Sequence, residues 1–173
     1  FQVFFGRNYD FNVKNIMSSC WLIHPNFINT RLVRRSSESA LLELKSLARS
    51  INLKILYCDI LRITNIKSGT FFGKGKIDDI KYKLKQDNNE KCIIIINTTL
   101  SPIQQRNLEK LWNTKVLDRT ALILEIFGAR AATKEGSLQV ELAHISWQKT
   151  RLVRSWTHLE RQRGGRGFLG GPG

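Results

Sequence analysis

From Ser137 to Arg163 the chain runs without a single glycine or proline. Such a run is free to form one helix of about 27 residues, roughly 40 Å long. Within it Leu138, Leu142, Ile145, Leu152, Trp156 and Leu159 recur at steps of four and three, and Lys149 fills the one place where an apolar residue is missing. That spacing lays a narrow apolar seam along one side of a helix, the kind a partner helix covers. The run then meets Gly164-Gly165-Arg166-Gly167-Phe168-Leu169-Gly170-Gly171-Pro172-Gly173, where helix is no longer favoured. The expectation is half of a helical hairpin, a piece that stops before its returning helix.

The segments ahead of this helix alternate between strand and helix signals. Cys20 to His24 is a short apolar run read as a first strand ended by Pro25, Leu53 to Cys58 as a second, and Cys92 to Ile96 as a third. The third is continuous and β-branched, as strands buried on both faces tend to be. Lys115 to Leu117 makes a fourth. Between them, Ser36-Ser37-Glu38 offers a cap and an acidic first turn for a helix carrying Leu41, Leu44, Leu47, Ala48 and Ile51. Lys76 to Lys85 fits a short helix. Ser101-Pro102-Ile103-Gln104 combines an N-cap, proline at the first helical position and a glutamine that closes a capping box. The fold class expected is α/β: a small, mostly parallel four-stranded sheet with flanking helices, followed by an all-α arm. Residues 18–117 would form the α/β domain and 118–173 the arm. In that arm, Asp118-Arg119 caps a helix from Thr120 to Ala132 with Leu122, Ile126 and Ala129 facing inward, and a turn at Thr133 to Gly136 leads into the long helix. Residues 1–17 remain unassigned, and Met17 is a possible true start.

The formal charge of +14 points to an anionic partner, nucleic acid or an acidic membrane surface, against the plainer reading of a solvated basic surface. No apolar stretch approaches the roughly 20 residues of a membrane span. Cys20, Cys58 and Cys92 are odd in number and widely spaced, which suits reduced thiols in a cytoplasmic core better than a disulfide framework or metal site. No catalytic constellation stands out. His144 and His158 lie nearly four turns apart on one helix, too far to share a metal or a proton.

Two stretches invite a ligand. Ser68-Gly69-Thr70-Phe71-Phe72-Gly73-Lys74-Gly75-Lys76 resembles a phosphate loop, but it is one residue short of a Walker A spacing and has Gly75 where a hydroxyl should hold Mg²⁺. A plain turn is the simpler reading. Gly73, Lys74, Gly75 and Lys76 remain candidate phosphate contacts at the start of a helix. The second stretch is the basic end of the long helix: Lys149, Arg151, Arg154, Arg161 and Arg163, then Arg166 in the glycine-rich loop. Cations at a helix C-terminus suit its dipole, yet the dipole acts over the last turn and this cluster spreads over several. A backbone poor in side chains at Gly164, Gly165, Gly167, Gly170 and Gly171 can approach a polyanion closely while the arginines pair with phosphates. Phe168 and Leu169 would be apolar probes among RNA bases.

The motifs then become specific. Ser101-Pro102-x-Gln104-x-Arg106-Asn107-Leu108-Glu109 and Asp118-Arg119-Thr120-x-Leu122-Ile123-Leu124-x-Ile126-Phe127 resemble the signature of the HflX family of ribosome-associated GTPases. So do Glu135-Gly136-x-Leu138-Gln139-Val140-Glu141-Leu142-Ala143, Arg151 to Gln162, and the closing glycine-rich loop. Phe72-Gly73-Lys74-Gly75-Lys76 is similar to the family's Gly-Lys stretch. The resemblance implies an N-terminal α/β domain, a helical hairpin tipped by the loop, and a GTP-binding domain beyond Gly173. It implies contact with the large ribosomal subunit and its RNA, in ribosome splitting or rescue under stress, and a cytoplasmic protein. GTP and Mg²⁺ would belong to the full-length protein. No Walker A, Mg²⁺-binding Asp motif or guanine-reading motif occurs in these residues, so GTP hydrolysis is not expected of them. The alternative is an α/β nucleotide (ATP)-binding domain with RNA-remodelling activity that uses the Gly69 to Lys76 loop. A third reading is a pure protein-interaction arm.

Overall fold

The computed structural model describes residues 19–28, 36–87 and 92–164, with residues 150–164 described as backbone alone. Among the described residues nine elements follow one another: β1 (Ser19–Phe27), α1 (Ser37–Arg49), β2 (Lys54–Ile63), α2 (Lys74–Gln86), β3 (Cys92–Ile96), α3 (Pro102–Trp112), β4 (Lys115–Asp118), α4 (Arg119–Arg130) and α5 (Lys134–Gly164). The strands form one sheet in the order β2-β1-β3-β4, and every pairing is parallel. The α/β architecture expected from the alternation of elements is present.

Alternation along each strand sorts side chains onto two cores. Trp21, Ile23, Ile94, Ile96 and Val116 face one side, where Ile77 and Ile80 of α2 and Leu108 and Trp112 of α3 cover them. Cys20, Leu22, Ile93, Ile95 and Leu117 face the other, under Leu41, Leu44 and Ala48 of α1 and Ala121, Leu122 and Ile126 of α4. β3 is buried at all five positions, which is why its sequence carries no polar alternation. Right-handed crossovers account for the division: β1 to β2 steps one way across the sheet, while β2 to β3 and β3 to β4 step the other. The first helix therefore lies on the face opposite the next two.

Capping follows the sequence closely. Ser36 Oγ accepts from Ser39 N at 3.1 Å. Ser101 and Gln104 form a complete capping box, with Pro102 in the first turn. Asn113, at φ 51°, ends α3 in the left-handed conformation that asparagine tolerates better than most residues.

Several boundaries depart from expectation for local reasons. β1 does not stop at Pro25 but continues to Phe27, and Pro25 is buried. Ile23 O accepts from Asn97 N at 2.8 Å on the β3 side. By alternation the backbone of Pro25 faces that same side, beyond the last residue of β3, where no amide donor is needed. β2 extends to Ile63 alongside this prolonged β1. α2 begins at Lys74 rather than Lys76. α4 ends at Arg130 because Ala131 is extended at ψ 101°, and Ala129 is exposed rather than inward. The sequence reading assigns α4 to the arm, whereas its buried residues are part of the sheet's second core. The turn before the long helix lies at 131–133, and Thr133 Oγ1 accepts from Gly136 N at 3.0 Å. The long helix then holds as one continuous element, and its final residue is Gly164, read from sequence as loop.

Candidate functional site

α5 presents two opposed faces. Val140, His144 and Trp147 are half-buried. Trp147 packs against the core under α1 and α4, and a side chain on Gly128 of α4 would sit 3.7 Å from a methyl of Val140. His144 bonds the backbone of Leu124, and burial holds its imidazole below the ordinary histidine range. About 200° around the helix, Leu138, Leu142 and Ile145 are 58%, 65% and 55% exposed. The described part of the seam read from sequence is thus the outward face, while a mixed set of residues holds the helix to the body; the side chains of Leu152, Trp156 and Leu159 lie outside the described residues. Lys149 continues the outward line and is exposed.

The backbone of Arg151, Arg154, Arg161 and Arg163 lies on the continuation of α5, about 25 Å of helix from Trp147 to Gly164. Their side chains lie outside the described residues, as do Gly165, Arg166, Gly167, Phe168, Gly170 and Gly171.

Gly73 to Lys76 form the start of α2. Gly73 is the N-cap, with φ −72° and no side-chain cap bond. A Cβ at Gly73 or Gly75 would meet nothing within 4 Å, so neither glycine is required by the chain's own packing. Lys74 is exposed and Lys76 half-buried. The loop before them is firmly held. Gln104 Nε2 donates to Lys67 O at 3.0 Å and Asn107 Nδ2 to Gly69 O at 2.8 Å. Phe71, at φ 63°, is buried against Phe27 and Phe72.

Sequence reasoning missed a polar cluster at the carboxyl ends of β1, β3 and β4. Asn97 Nδ2 lies 3.1 Å from His24 Nδ1 and 3.3 Å from Ala40 O. Arg119 Nη1 donates to Asn97 Oδ1 at 2.7 Å, and its Nη2 pairs with Glu43. Burial, then the Arg119 charge, lowers the His24 imidazole below its usual range. The cluster sits where neighbour order reverses between β1 and β3, the crevice at which open α/β sheets tend to hold ligands. The signal was positional: Asn97 and Arg119 stand just past the ends of β3 and β4, and His24 lies on β1 one residue beyond Ile23, the last to pair with β3. Among the described residues no group of three or more His, Cys, Asp or Glu could hold a metal ion.

Glu125 is the buried acid of α4. Its Oε1 has no hydrogen-bond partner among the described residues. Desolvation, opposed by the Lys115 charge, pushes its pKa up to about 7.

Two sequence families match in tandem. "GTP-binding GTPase N-terminal" covers residues 38–128 and "GTP-binding GTPase Middle Region" residues 130–173. A GTPase HflX of Magnetococcus marinus is 47% identical over 146 residues, 84% of this chain and 33% of the relative. The GTPase HflX of Escherichia coli is 52% identical over 103 residues, 60% of this chain and 24% of the relative. The chain thus spans about a third or less of the length of these relatives. A GTP-binding protein from the archaeon Sulfolobus solfataricus, solved in complex with GDP, matches at a TM-score of 0.60 and 23% identity over 85% of this chain and 42% of that one. That likeness shows the fold. With the tandem family match covering both the sheet and α5, the chain belongs to the HflX family of GTP-binding GTPases.

Proposed function

We propose that this chain is the ribosomal-RNA-contacting region of an HflX-type GTPase, acting through the far end of α5 and the glycine-rich tip. The observation that carries the reading is the continuity of α5. One helix runs from its seat on the body to the Arg161-Arg163-Gly164 end, so cations close together in sequence are strung along a single rod. The outward Leu138-Leu142-Ile145 seam fits a returning helix from beyond Gly173, in a chain whose matched residues make up about a third of the Magnetococcus marinus relative. GTP binding and hydrolysis, with Mg²⁺, belong in this reading to the full-length cytoplasmic protein, in ribosome splitting or rescue under stress. Among the described residues no helix is long and apolar enough to cross a membrane.

The test is co-sedimentation with large ribosomal subunits over a salt series. Binding should weaken steeply with salt. Replacing Arg161, Arg163 and Arg166 together by Ala should weaken binding and flatten the salt dependence by about one unit of slope for each phosphate no longer neutralised. Unchanged sedimentation of that variant would count against the tip.

A second reading, nucleotide binding by the α/β domain, draws on the open backbone at Gly73 and Gly75 and on the Asn97 cluster. Calorimetric titration with ATP and GTP separates the two. Heat that disappears in a Lys74→Ala, Lys76→Ala variant would favour the second, and no heat for either nucleotide removes it.

A further inference from the structure

β2 is an edge strand of ten residues, and among the described residues no strand lies along its outer side. Ile28 N donates to Ile63 O at 3.2 Å, so the backbone of Ile63 faces β1. By alternation the backbones of Tyr57, Asp59 and Leu61 also face β1, and those of Cys58, Ile60 and Arg62 face outward. A long outward edge with half-buried Leu56, Ile60 and Leu61 beside it is a template for strand addition by another chain.

At its middle this edge is not bare. Asp59 Oδ1 accepts the outward Ile60 amide at 2.8 Å. The other carboxylate oxygen accepts from Tyr57 Oη at 2.7 Å. Lys83 of α2 donates to the same phenol oxygen at 2.6 Å, stands 3.8 Å from Asp59 Oδ2, and lies 4.9 Å from the centre of the Tyr57 ring. A register shift opposite Cys20 and Trp21 skips Leu56 and puts Tyr57 against Trp21, with ring centroids 4.5 Å apart. The bulge thus turns Tyr57 and Asp59 toward α2, within reach of Lys83.

We propose that Tyr57, Asp59 and Lys83 form a latch that holds the Asp59 carboxylate over the Ile60 amide and closes the free edge of β2 to strand addition. An incoming strand needs the Ile60 amide as a donor, and the latch has already taken it. It also places a carboxylate oxygen 2.8 Å from that amide, where the incoming strand's acceptor would sit. Burial raises the Tyr57 phenol and the bond to Tyr57 raises the Lys83 ammonium. Both groups therefore keep the protons they donate across the neutral range.

Amide hydrogen exchange on the whole chain, with analytical ultracentrifugation over a concentration series, tests this. In the wild type the Ile60 amide should exchange about tenfold or more slowly than those of Cys58 and Arg62, as a charge-assisted bond predicts. Asp59→Ala should remove that difference and make the chain self-associate with rising concentration, where the wild type does not. Tyr57→Phe and Lys83→Ala keep the carboxylate and should speed Ile60 exchange by a smaller factor, which keeps the test decisive if Asp59→Ala fails to fold. The proposal is overturned if Ile60 exchanges as fast as Cys58 and Arg62, or if all three are equally slow because something else pairs the edge. It also falls if a folded Asp59→Ala variant self-associates no more than the wild type.

Discussion

Glu125 shows how one side chain sets a pH dependence. In the unfolded chain its carboxyl loses a proton near the ordinary value of 4.5, but in the folded chain it holds that proton up to about 7. Between those values the folded state binds more protons, so this residue makes stability fall as pH rises through that window. The loss is complete above about pH 7 and reaches up to roughly 3 kcal/mol. Glu125→Gln should remove the effect. Urea melts of both proteins at pH 5 and pH 8 should show the wild type losing about 2–3 kcal/mol relative to the variant. Ser101 gives a simpler expectation. Its hydroxyl accepts from Gln104 N at 3.2 Å, and Gln104 Oε1 accepts from Ser101 N at 2.9 Å. Ser101→Ala should cost about 1 kcal/mol in the same measurement.

Among the elements, β3 and α3 were the most legible, because their signals are local: an unbroken β-branched run, and a cap followed by proline and glutamine. The misreadings came from information that is not local. Pro25 ends a strand only if an amide donor is needed there, and β3 is too short to need one. Ala129 follows Leu122 and Ile126 at helical spacing, yet α4 has already left the sheet by that turn. The face of α5 against the body was hidden because Val140, His144 and Trp147 form no apolar stripe, while the outward Leu138, Leu142 and Ile145 do. The His24, Asn97 and Arg119 cluster is assembled from β1, the residue after β3 and the first residue of α4, and has no motif in the sequence. One expectation follows for α5 itself. Trp147→Ala should loosen its seat on the body and cost about 3 kcal/mol, read by denaturant unfolding, whereas Leu142→Ser on the open face should change stability by less than about 0.5 kcal/mol.

For the whole molecule, the two cores share one sheet, so damage to either should be felt globally. Ile94 is fully buried, and Ile94→Ala should cost about 2–5 kcal/mol and lower both thermal and denaturant midpoints together. The molecule also has a mechanical property that follows from the seating of α5. Beyond Trp147 the helix continues for about 25 Å with no glycine or proline before Gly164 to absorb a bend. A tilt of about 10° at that seat would sweep Gly164 through roughly 4 Å, by simple leverage on a rod of that length. The contact of α4 with Val140 at Gly128 is therefore the bearing of a pointer: a methyl there fits at 3.7 Å, whereas a side chain much larger than that is expected to shift the aim without touching a single arginine.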